Sequence, residues 1–579
     1  MSDAARLRWV GADALDDASR AALLGPGAPF EMVEEEVLGA PVTVFAQRPL
    51  HLRAVLDGAV ARHGDLPFLV TDAGGRTFAE ARRAADAVAA VLAERHGVRP
   101  GDRVAIVAAN CPEYVIAAWA AIRLGAVIAG LNGWWTGPEL EYGITLSSPT
   151  VLLGDERRLT RLAGSPVLEG LPVEPLGPLV AAAEAAVAPG TEPAAPDAPI
   201  GEDDPAVILF TSGTTGRPKG ATLSHRNLIH FGLVSTLNGA VGAMLAAAAG
   251  APGPAGPTPP PQGATLAASP MFHVSGLLAF LMSGPVFGLR LVFLPPGRWD
   301  EGEHLRLTEL HRVSTWSGVP TQFWRLLAHP DFERRDLTSV RTVGSGGAPY
   351  PAELVRTLRR AMPGVTVSDG FGMSETAGLG TLASGDLMEA HPGTVGRAQP
   401  TCEVEVRDPL GTPLPEGEVG EICLRNASVF LGYWENPEAT AAVLDEDRWY
   451  RSGDYGRIEG GLLFLESRRR DMILRGGENI YPIEVEHRLV EHPDIADAAV
   501  IGVPHPVLGQ EVKAFVVPRP GAKVAAADVQ RWVAETLAAF KVPAHVEFRT
   551  ELPYTDTGKV LKQQLEREEE ARRSAATAG

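Results

Sequence analysis

Short apolar runs alternate with helical patterns along the first two thirds of the chain, and this alternation restricts the possible folds. Residues 80–96 (EARRAADAVAAVLAERH) have helical periodicity, GDRVAIVAAN from Gly101 predicts a short buried strand, and YVIAAWAAIRLG predicts a second helix. The runs AVILFTS, LRLVFLP and VRTVGSG repeat the strand pattern downstream. Because such alternation is typical of parallel strands joined by helical crossovers, it predicts a large N-terminal α/β domain built of layered α/β subdomains.

The sequence changes character after about residue 395. Alternating strands with Gly and Pro turns (EVEVRDPLG, EGEVGEICLRN, GLLFLESRRRD) predict a β-rich subdomain. A charged seam, SRRRD from Ser467, precedes a compact tail whose pattern is β-α-β-β-α-β in outline, with a fraying helix at its end. We therefore predict domains at 1–469 and 470–579, the second being a small α+β domain.

Composition excludes several classes of protein. A chain of 579 residues exceeds what one core supports, and its 45% apolar and 21% charged residues are those of a globular protein. The net charge of −19 disfavours nucleic acid as a partner. Cys111, Cys402 and Cys423 are too widely spaced for a disulfide framework or a zinc site, which fits a reducing cytoplasm.

No segment predicts export or integral membrane association. The N-terminus lacks the basic and apolar regions of a secretory signal. Residues 231–250 approach membrane-spanning length, but they are rich in Ala and Gly and lead into a segment rich in Pro and Gly. Residues 246–263, mostly Ala, Gly and Pro, predict a surface loop of the kind that tolerates insertion.

The loop Thr211 to Gly220, TSGTTGRPKG, carries the strongest chemical signal. It follows a predicted strand and concentrates hydroxyl groups, glycines and a lysine, so its N–H and O–H groups can converge on an anion. Its spacing differs from the Walker loop of P-loop NTPases, because Lys219 is followed by glycine rather than by Ser or Thr. The loop therefore predicts a phosphate site of another kind.

This loop resembles the signature of the adenylate-forming superfamily, which contains acyl-CoA synthetases, nonribosomal adenylation domains and luciferases. Further segments resemble that superfamily's later motifs in order: MFHVSG from Met271, GSGGAPYP from Gly344, DGFGMSETAG from Asp369, YRSGD from Tyr450, SRRRDMILRGGENIYPIEVE from Ser467 and LPYTDTGKVLK from Leu552. The resemblance covers roughly residues 45–565 and is greatest to bacterial acyl-CoA ligases.

The resemblance implies attack of a carboxylate on the α-phosphate of ATP, with loss of pyrophosphate, followed by transfer of the acyl group to a thiol. Lys559, Thr211 and Glu375 are then the expected catalytic residues, Glu375 is the expected Mg²⁺ ligand, and Lys219 is a weaker candidate for the chemical step than Lys559. The residues expected to bind ATP or CoA are Thr211, Ser212, Gly213, Thr214, Thr215, Gly216, Lys219, Gly347, Ala348, Pro349, Asp369, Gly370, Phe371, Gly372, Met373, Ser374, Asp454, Arg468, Gly476, Gly477 and Lys559.

Individual roles follow from the same resemblance. Phe371 would stack on adenine and Asp369 would accept from its amino group, although the superfamily often has Tyr and an amide there. Asp454 would bind the ribose hydroxyls, and Arg468 would contact ribose or phosphate. The small domain is expected to rotate between the two steps about Arg470. Gly476 and Gly477 would then line a channel for the pantetheine of CoA.

The acid pocket is expected to be formed by small or apolar residues and one histidine. These are His273, Val274, Ser275, Ser317, Gly318, Val319, Gly344 and Gly346.

We therefore predict a cytoplasmic, ATP-dependent acid–CoA ligase that uses a small-molecule carboxylic acid, ATP, Mg²⁺ and CoA, with a homodimer as a candidate assembly. Within the superfamily, the alternatives are transfer to a carrier protein or an amine, and activation of an unusual small acid such as nitrite. A luciferase-like oxygenase and a degenerate binding protein are the alternatives from other classes. The sequence leaves the identity of the acid open.

Overall fold

The computed structural model describes residues 5–188, 191–193, 198–211, 218–250, 261–346, 350–468, 471–475, 478–505, 508–537, 539–554 and 560–578. Its strands are, in chain order, β1 (Arg6–Leu7), β2 (Met32–Val37), β3 (Ala40–Phe45), β4 (Pro67–Thr71), β5 (Gly74–Thr77), β6 (Arg103–Val107), β7 (Val127–Gly130), β8 (Val151–Gly154), β9 (Val173–Pro175), β10 (Pro205–Thr211), β11 (Lys219–Ser224), β12 (Ala264–Leu266), β13 (Arg290–Val292), β14 (Thr315–Gly318), β15 (Thr342–Gly346), β16 (Thr366–Phe371), β17 (Thr381–Ser384), β18 (Thr394–Ala398), β19 (Glu403–Arg407), β20 (Gly420–Arg425), β21 (Gly432–Tyr433), β22 (Tyr450–Glu459), β23 (Leu462–Arg468), β24 (Ile473–Arg475), β25 (Glu478–Ile480), β26 (Ile495–His505), β27 (Gly509–Pro518) and β28 (His545–Phe548).

The α-helices are α1 (Asp17–Leu24), α2 (Leu52–His63), α3 (Phe78–Arg95), α4 (Pro112–Leu124), α5 (Gly137–Ser147), α6 (Glu156–Leu159), α7 (Leu176–Ala186), α8 (His225–Ala248), α9 (Val274–Leu278), α10 (Gly284–Phe287), α11 (Glu301–His311), α12 (Pro320–Ala328), α13 (Ala352–Ala361), α14 (Asp386–Ala390), α15 (Pro437–Ala441), α16 (Pro482–Val490), α17 (Ala526–Ala534) and α18 (Lys562–Ala578).

The first sheet confirms the predicted alternation of strands and helices. In the described residues its order is β21-β11-β10-β7-β6-β8-β9, and the strands from β10 to β9 pair in parallel. The hairpin of β10 and β11 is antiparallel, which the alternation did not predict. Helix α3 begins with a capping box between Thr77 and Glu80. Helix α4 ends at Gly125, whose positive φ of 70° suits glycine.

The second sheet joins regions that the sequence treats separately. In the described residues it has the order β1-β19-β20-β22-β23-β18-β17-β16-β15-β14-β12-β13-β4-β5, so the predicted β-rich strands continue the α/β sheet through the pair of β18 and β23. Strands β12 to β16 are parallel where they pair, and the others are antiparallel at this sheet's β-rich end. Helices and strands of the two sheets share one large apolar core that includes Tyr114, Trp119 and Phe280.

The C-terminal part has its own sheet and its own core. Strands β24 to β28 form one sheet, with α16 and α17 packed around a cluster that includes Ile473, Val485 and Val529. The observed order is ββαββαβα, so a hairpin replaces the predicted first strand. The C-terminal residues form the helix α18 up to Ala578. The predicted boundary residue Arg470 lies outside the described residues, and the boundary stays a prediction.

Helix α8 includes most of the apolar stretch at 231–250. It is long and apolar enough to cross a membrane by length and composition alone. Its first half is buried in the protein, however, and Asn227 donates hydrogen bonds to the carbonyls of Ala427 and Val429 at 2.8 and 3.0 Å. A core helix passes the same test, so this helix gives only weak evidence for a membrane span. Residues 246–248 end the helix, and residues 251–260 of the predicted surface loop lie outside the described residues.

A buried ion pair connects α3 to α4 in the large core. Arg123 is 2% exposed, and its Nε donates to Asp86, which is fully buried, at 2.5 Å. The same guanidinium reaches Asp57, whose side chain is 49% exposed, at 2.7 Å. Burial raises the pKa of Asp86, and the nearby Arg123 opposes that rise.

We expect Asp86→Ala to lower the free energy of unfolding by about 3 kcal/mol, because it leaves a buried guanidinium with less compensating charge. Asp57→Ala is the matched control, and we expect it to cost less than about 1 kcal/mol, since that carboxylate is half exposed. Urea unfolding, followed through the transition of the part of the protein that contains α3 and α4, measures the loss of unfolding free energy in both variants. Equal losses would show that burial does not determine the strength of this ion pair.

Candidate active site

The predicted phosphate loop lies in the hairpin between β10 and β11. Thr211 is the last residue of β10 and pairs with Lys219, the first residue of β11, so the chain leaves and re-enters the sheet at adjacent positions. Residues 212–217 lie outside the described residues, and Ser212, Gly213, Thr214, Thr215 and Gly216 fall among them. The hydroxyl of Tyr142 donates to the carbonyl of Pro218 at 3.0 Å and holds the returning side of the hairpin.

Glu375 lies against this hairpin although it belongs to the other sheet. It sits in a 3₁₀ turn (Ser374–Thr376) that follows β16, and it is only 7% exposed. The Thr211 hydroxyl lies 3.5 Å from Glu375 Oε1, at the limit of a hydrogen bond. The turn closes because Ala377 and Gly378 take positive φ values of 47° and 78°. Two expected catalytic residues are thus brought together across 164 positions of sequence.

Two tyrosines that the sequence reasoning missed contact this pair. The Tyr433 hydroxyl donates to Glu375 Oε1 at 2.9 Å, and Lys219 Nζ lies 4.8 Å from the centre of the Tyr433 ring. Tyr450 donates a side-chain hydrogen bond to Tyr433. Burial, followed by the charge of Glu375, raises the pKa of both tyrosines, so both remain protonated donors. The signal available for Tyr433 was the segment LGYW, whose aromatic residues indicate no chemistry by themselves.

Asp454 and Arg468 are neighbours across two strands. Asp454 on β22 pairs with Arg468 on β23, the last described residue before 469–470. Asp454 also follows Tyr450 by four residues on the same strand. Its backbone N–H donates to the hydroxyl of Ser452 at 3.0 Å. One strand therefore carries both the expected ribose carboxylate and a tyrosine that reaches the Glu375 cluster.

Asp369 is almost fully buried, whereas a residue that contacts a ligand at the surface of a cleft would be partly exposed. It lies on β16, is 3% exposed, and accepts a hydrogen bond from the backbone N–H of Tyr350 at 3.3 Å. Burial raises its pKa to about 7. Phe371, two residues further along, is 6% exposed and belongs to the large core. Gly370 lies between them, and Gly372, Met373 and Ser374 continue the chain to Glu375.

Several expected acid-pocket residues lie on adjacent parallel strands of the second sheet. The residues on one face of β14, β15 and β16 are small or hydroxylated. In register, these are the rows Thr315–Thr342–Thr366 and Ser317–Gly344–Ser368 and the pair Gly346–Gly370, which we call the small-residue floor. The opposite face carries Trp316, Val343 and Val367, which are buried against α11 to α13. Among the described residues, a Cβ on Gly346 would come within 4 Å of the Gly370 carbonyl alone, at 3.8 Å, so these residues leave room above it.

Two rings of the segment MFHVSG, those of Phe272 and His273, form an aromatic wall together with Trp134. His273 caps α9 at its N-terminus, and its ring lies 4.8 Å from the ring of Phe272 and 6.0 Å from that of Trp134. Trp134 meets Phe272 edge to face at 4.8 Å. Asn110, which the sequence did not indicate, holds this segment by donating to the carbonyls of Ala267 and Ser269, both at 2.8 Å.

The remaining pocket candidates lie on nearby elements. Val274 and Phe231 both come within 4.0 Å of the position that a Cβ on Gly378 would occupy, while Ser275 lies in α9. The backbone N–H of Val319 donates to the side chain of Gln322 at 3.1 Å, just beyond Gly318.

Other predicted residues fall where the structure gives no description. These are Gly347, Ala348, Pro349, Arg470, Gly476, Gly477 and Lys559, and their roles remain predictions.

The residues present suit a magnesium ion bound mainly through phosphate. Within the described residues, no group of three or more His, Cys, Asp or Glu side chains is arranged to hold a metal ion. Glu375 and Thr211 supply a carboxylate and a hydroxyl, hard oxygen donors of the type that Mg²⁺ takes when phosphates and water complete its coordination. A cavity of about 860 Å³ lies elsewhere, between β4, β5, α3 and the start of α4. Neither Thr211 nor Glu375 lines this cavity, so it is not the candidate active site.

The fold, with a hairpin rich in Gly, Ser and Thr beside the buried carboxylate of Glu375, is the arrangement expected of an enzyme that activates acids by adenylation. Comparison of the sequence with family models agrees with this class. Residues 56–434 match the AMP-binding enzyme family, and residues 484–559 match the AMP-binding enzyme C-terminal domain. The chain belongs to the AMP-binding enzyme family, and the predicted resemblance is confirmed.

Curated relatives and solved structures extend over most of the chain. The chain is 38% identical to a feruloyl-CoA synthase of Amycolatopsis sp, over 81% of this chain and 89% of that protein. It is 31% identical to a long-chain-fatty-acid–CoA ligase of Bacillus subtilis (strain 168), over 90% and 94% of the two chains. The crystal structure of ATP-bound MatB from Rhodopseudomonas palustris superimposes with a TM-score of 0.75 at 32% identity, covering 88% of this chain and 98% of that one. The predicted fold class is confirmed.

The buried carboxyl of Asp369 gives a test that depends on pH. Its pKa is raised from 3.8 to about 7, so between these values the unfolded chain has lost a proton that the folded protein keeps. Its contribution to stability therefore falls as pH rises from about 4 and levels off above pH 7. We expect Asp369→Asn, which cannot ionise, to gain in melting temperature relative to wild type on going from pH 5 to pH 8. A difference that stays constant over this range, measured by scanning fluorimetry, would contradict the burial of a titrating carboxyl.

Proposed function

We propose that this protein activates a flat, aromatic carboxylic acid and transfers it to CoA. It is an ATP-dependent, AMP-forming acid–CoA ligase, as its family and its relatives named as CoA synthases and ligases indicate. It forms an acyl-adenylate and pyrophosphate from the acid and ATP, and then a thioester and AMP. The observation that carries the nucleotide part is the contact between Thr211 and Glu375 beside the hairpin.

The residues of the site would act mainly by positioning and by charge. The hairpin from Thr211 to Lys219 would hold the β- and γ-phosphates, and Asp454 would bind the ribose hydroxyls. Mg²⁺ held by Glu375 would neutralise charge on the phosphates. Lys559 would place a cation between the acid carboxylate and the α-phosphate, and rotation of residues 470–579 would then open the site to CoA. Because negative charge accumulates on the α-phosphate, such positioned cations lower the barrier.

The aromatic substrate class is supported by the shape of the pocket residues and by one relative. The small-residue floor projects no long side chain from β14, β15 and β16, while Trp134, Phe272 and His273 provide ring faces and edges. A flat ring suits a slot between a bare floor and an aromatic wall. A relative that is 38% identical to this chain is named as a feruloyl-CoA synthase, and ferulic acid is an aromatic acid.

A pyrophosphate-release screen tests both the reaction and the substrate class. We expect hydroxycinnamic and benzoic acids to give the highest kcat/KM, with AMP and thioester appearing only when CoA is present. Fatty acids, small aliphatic acids and nitrite complete the panel, and hydroxylamine, a carrier protein and a CoA-free oxidative assay test the other acceptors. The absence of pyrophosphate and AMP with every acid would refute the ligase.

Gly346→Val provides a matched test of the floor within the same screen. Because the added side chain would fill the room that the described residues leave above Gly346, we expect kcat/KM for the aromatic acid to fall at least tenfold, while the KM for ATP stays unchanged. A fall in activity that is the same for aromatic acids and for acetate would show that the floor does not face the acid.

The two steps can be separated at Lys559. We expect Lys559→Ala to reduce adenylate formation at least a hundredfold and to spare thioester formation from a supplied acyl-adenylate, because the lysine acts only in the first conformation. Lys523→Ala, at an exposed lysine of the same domain, is the control and should change neither step. Equal loss in both steps would contradict the model of two conformations.

The cytoplasmic location and the homodimer stay predictions from the sequence.

A further inference from the structure

Tyr433 connects three parts of the site that come from different places in the chain. It lies on β21, which pairs with β11 of the phosphate hairpin, with Ala221 opposite Tyr433. Its hydroxyl donates to Glu375, and its ring faces the ammonium group of Lys219. Tyr450, from the strand of Asp454, donates to the Tyr433 hydroxyl. One side chain thus touches the carboxylate, the hairpin and the ribose-side strand.

The ring of Tyr433 is fixed by packing that does not involve its hydroxyl. Phe430 meets Tyr433 edge to face at 5.0 Å and Tyr450 at 5.5 Å. The backbone N–H of Phe430 donates to the Glu375 carbonyl at 2.8 Å, so this aromatic group is also attached to the 3₁₀ turn. The hydroxyl therefore approaches Glu375 from a rigid support, and one carboxylate oxygen is held in a defined direction.

We propose that Tyr433 is a positioning residue for the metal and phosphate site, acting through its hydroxyl on Glu375 and through its ring on Lys219. Tyr450 orients the Tyr433 hydroxyl by donating to it, which leaves the Tyr433 proton for Glu375. The proposal rests on the proposed role of Glu375 as the magnesium ligand. It adds Tyr433 and Tyr450 to the proposed metal site. It also assigns separate actions to the hydroxyl and to the ring of Tyr433.

The two actions of Tyr433 can be separated by the choice of substitution. Tyr433→Phe removes the hydroxyl but keeps a ring beside Phe430 and Lys219, so Lys219 keeps its contact with an aromatic face. Tyr433→Leu removes both. We expect the first variant to affect the metal ion and the second to affect ATP as well.

For Tyr433→Phe we expect the half-saturating Mg²⁺ concentration to rise about tenfold at saturating ATP, the size expected for loss of one hydrogen bond to a charged group. The kcat at saturating Mg²⁺ should change less than about threefold. A measurement without turnover is Mn²⁺ binding to the complex of enzyme with a non-hydrolysable ATP analogue, followed by electron paramagnetic resonance. The Mn²⁺ dissociation constant should rise by a similar factor. Tyr433→Leu should in addition raise the KM for ATP.

Tyr114→Phe is the matched control. Tyr114 is fully buried, its hydroxyl has no hydrogen-bond partner among the described residues, and it lies in the core helix α4. Removing that hydroxyl should leave Mg²⁺ and Mn²⁺ binding unchanged. A rise in both variants would indicate a general effect of losing a buried hydroxyl and would overturn the proposal.

A double-mutant cycle with Glu375→Gln tests whether Tyr433 acts through Glu375. If it does, Tyr433→Phe should weaken Mn²⁺ binding by about twofold or less when combined with Glu375→Gln, compared with about tenfold in wild type. Equal factors in the two backgrounds would show that Tyr433 acts independently and would overturn the proposal.

Failure of this proposal is distinguishable from failure of the proposed function. If wild type makes acyl-CoA and Glu375→Gln weakens Mn²⁺ binding, but Tyr433→Phe leaves it unchanged, only the positioning role is wrong. If Glu375→Gln leaves Mn²⁺ binding unchanged, the metal site itself is misassigned, and the role of Tyr433 fails with it.

Discussion

The contact between Thr211 and Glu375 is the constraint on which the proposed nucleotide site depends. Thr211 ends a strand of one sheet, and Glu375 follows a strand of the other, so the contact is possible only if the two sheets pack with these ends together. The shared apolar core fixes that packing, because residues of both sheets belong to it. A buried carboxylate requires polar partners, and the Tyr433 hydroxyl provides one at 2.9 Å. The core therefore determines the geometry of the polar site.

Much of the fold follows from local patterns. The periodicity at 80–96 predicts α3, and the short run after Gly101 predicts β6, because one buried face or one buried strand is visible within a few residues. Patterns of this kind do not reveal which strand pairs with which. The pair of β18 and β23, which joins the β-rich strands to the α/β sheet, links residues about 70 positions apart. The hairpin that replaces the first strand of the C-terminal part was missed because the run before Gly476 is short.

Candidate site residues could be named from the sequence where motifs are continuous, but not where contacts are long-range. A resemblance assigns the loop at Thr211, Glu375 and Asp454 within short motifs, and their roles stay predictions. Tyr433 and Tyr450 were missed because their contacts with each other and with Glu375 join separate strands. The deep burial of Asp369, which raises its pKa to about 7, was also missed, since one of its hydrogen-bond donors, the backbone N–H of Tyr350, lies outside its own motif.

A substitution would have different effects in the group around Glu375 and in the small-residue floor. This difference bears on how the proposed pocket could select an acid. Thr211, Glu375, Tyr433 and Lys219 touch one another, so a change at any one of them alters the partners of the others. The small-residue floor instead consists of positions where side chains are short or missing, and the described residues leave room above Gly346. A side chain added there changes the shape of the slot without removing a hydrogen bond. On the proposed assignment, selection among acids can therefore vary on β14, β15 and β16 without changing the contacts proposed for the nucleotide.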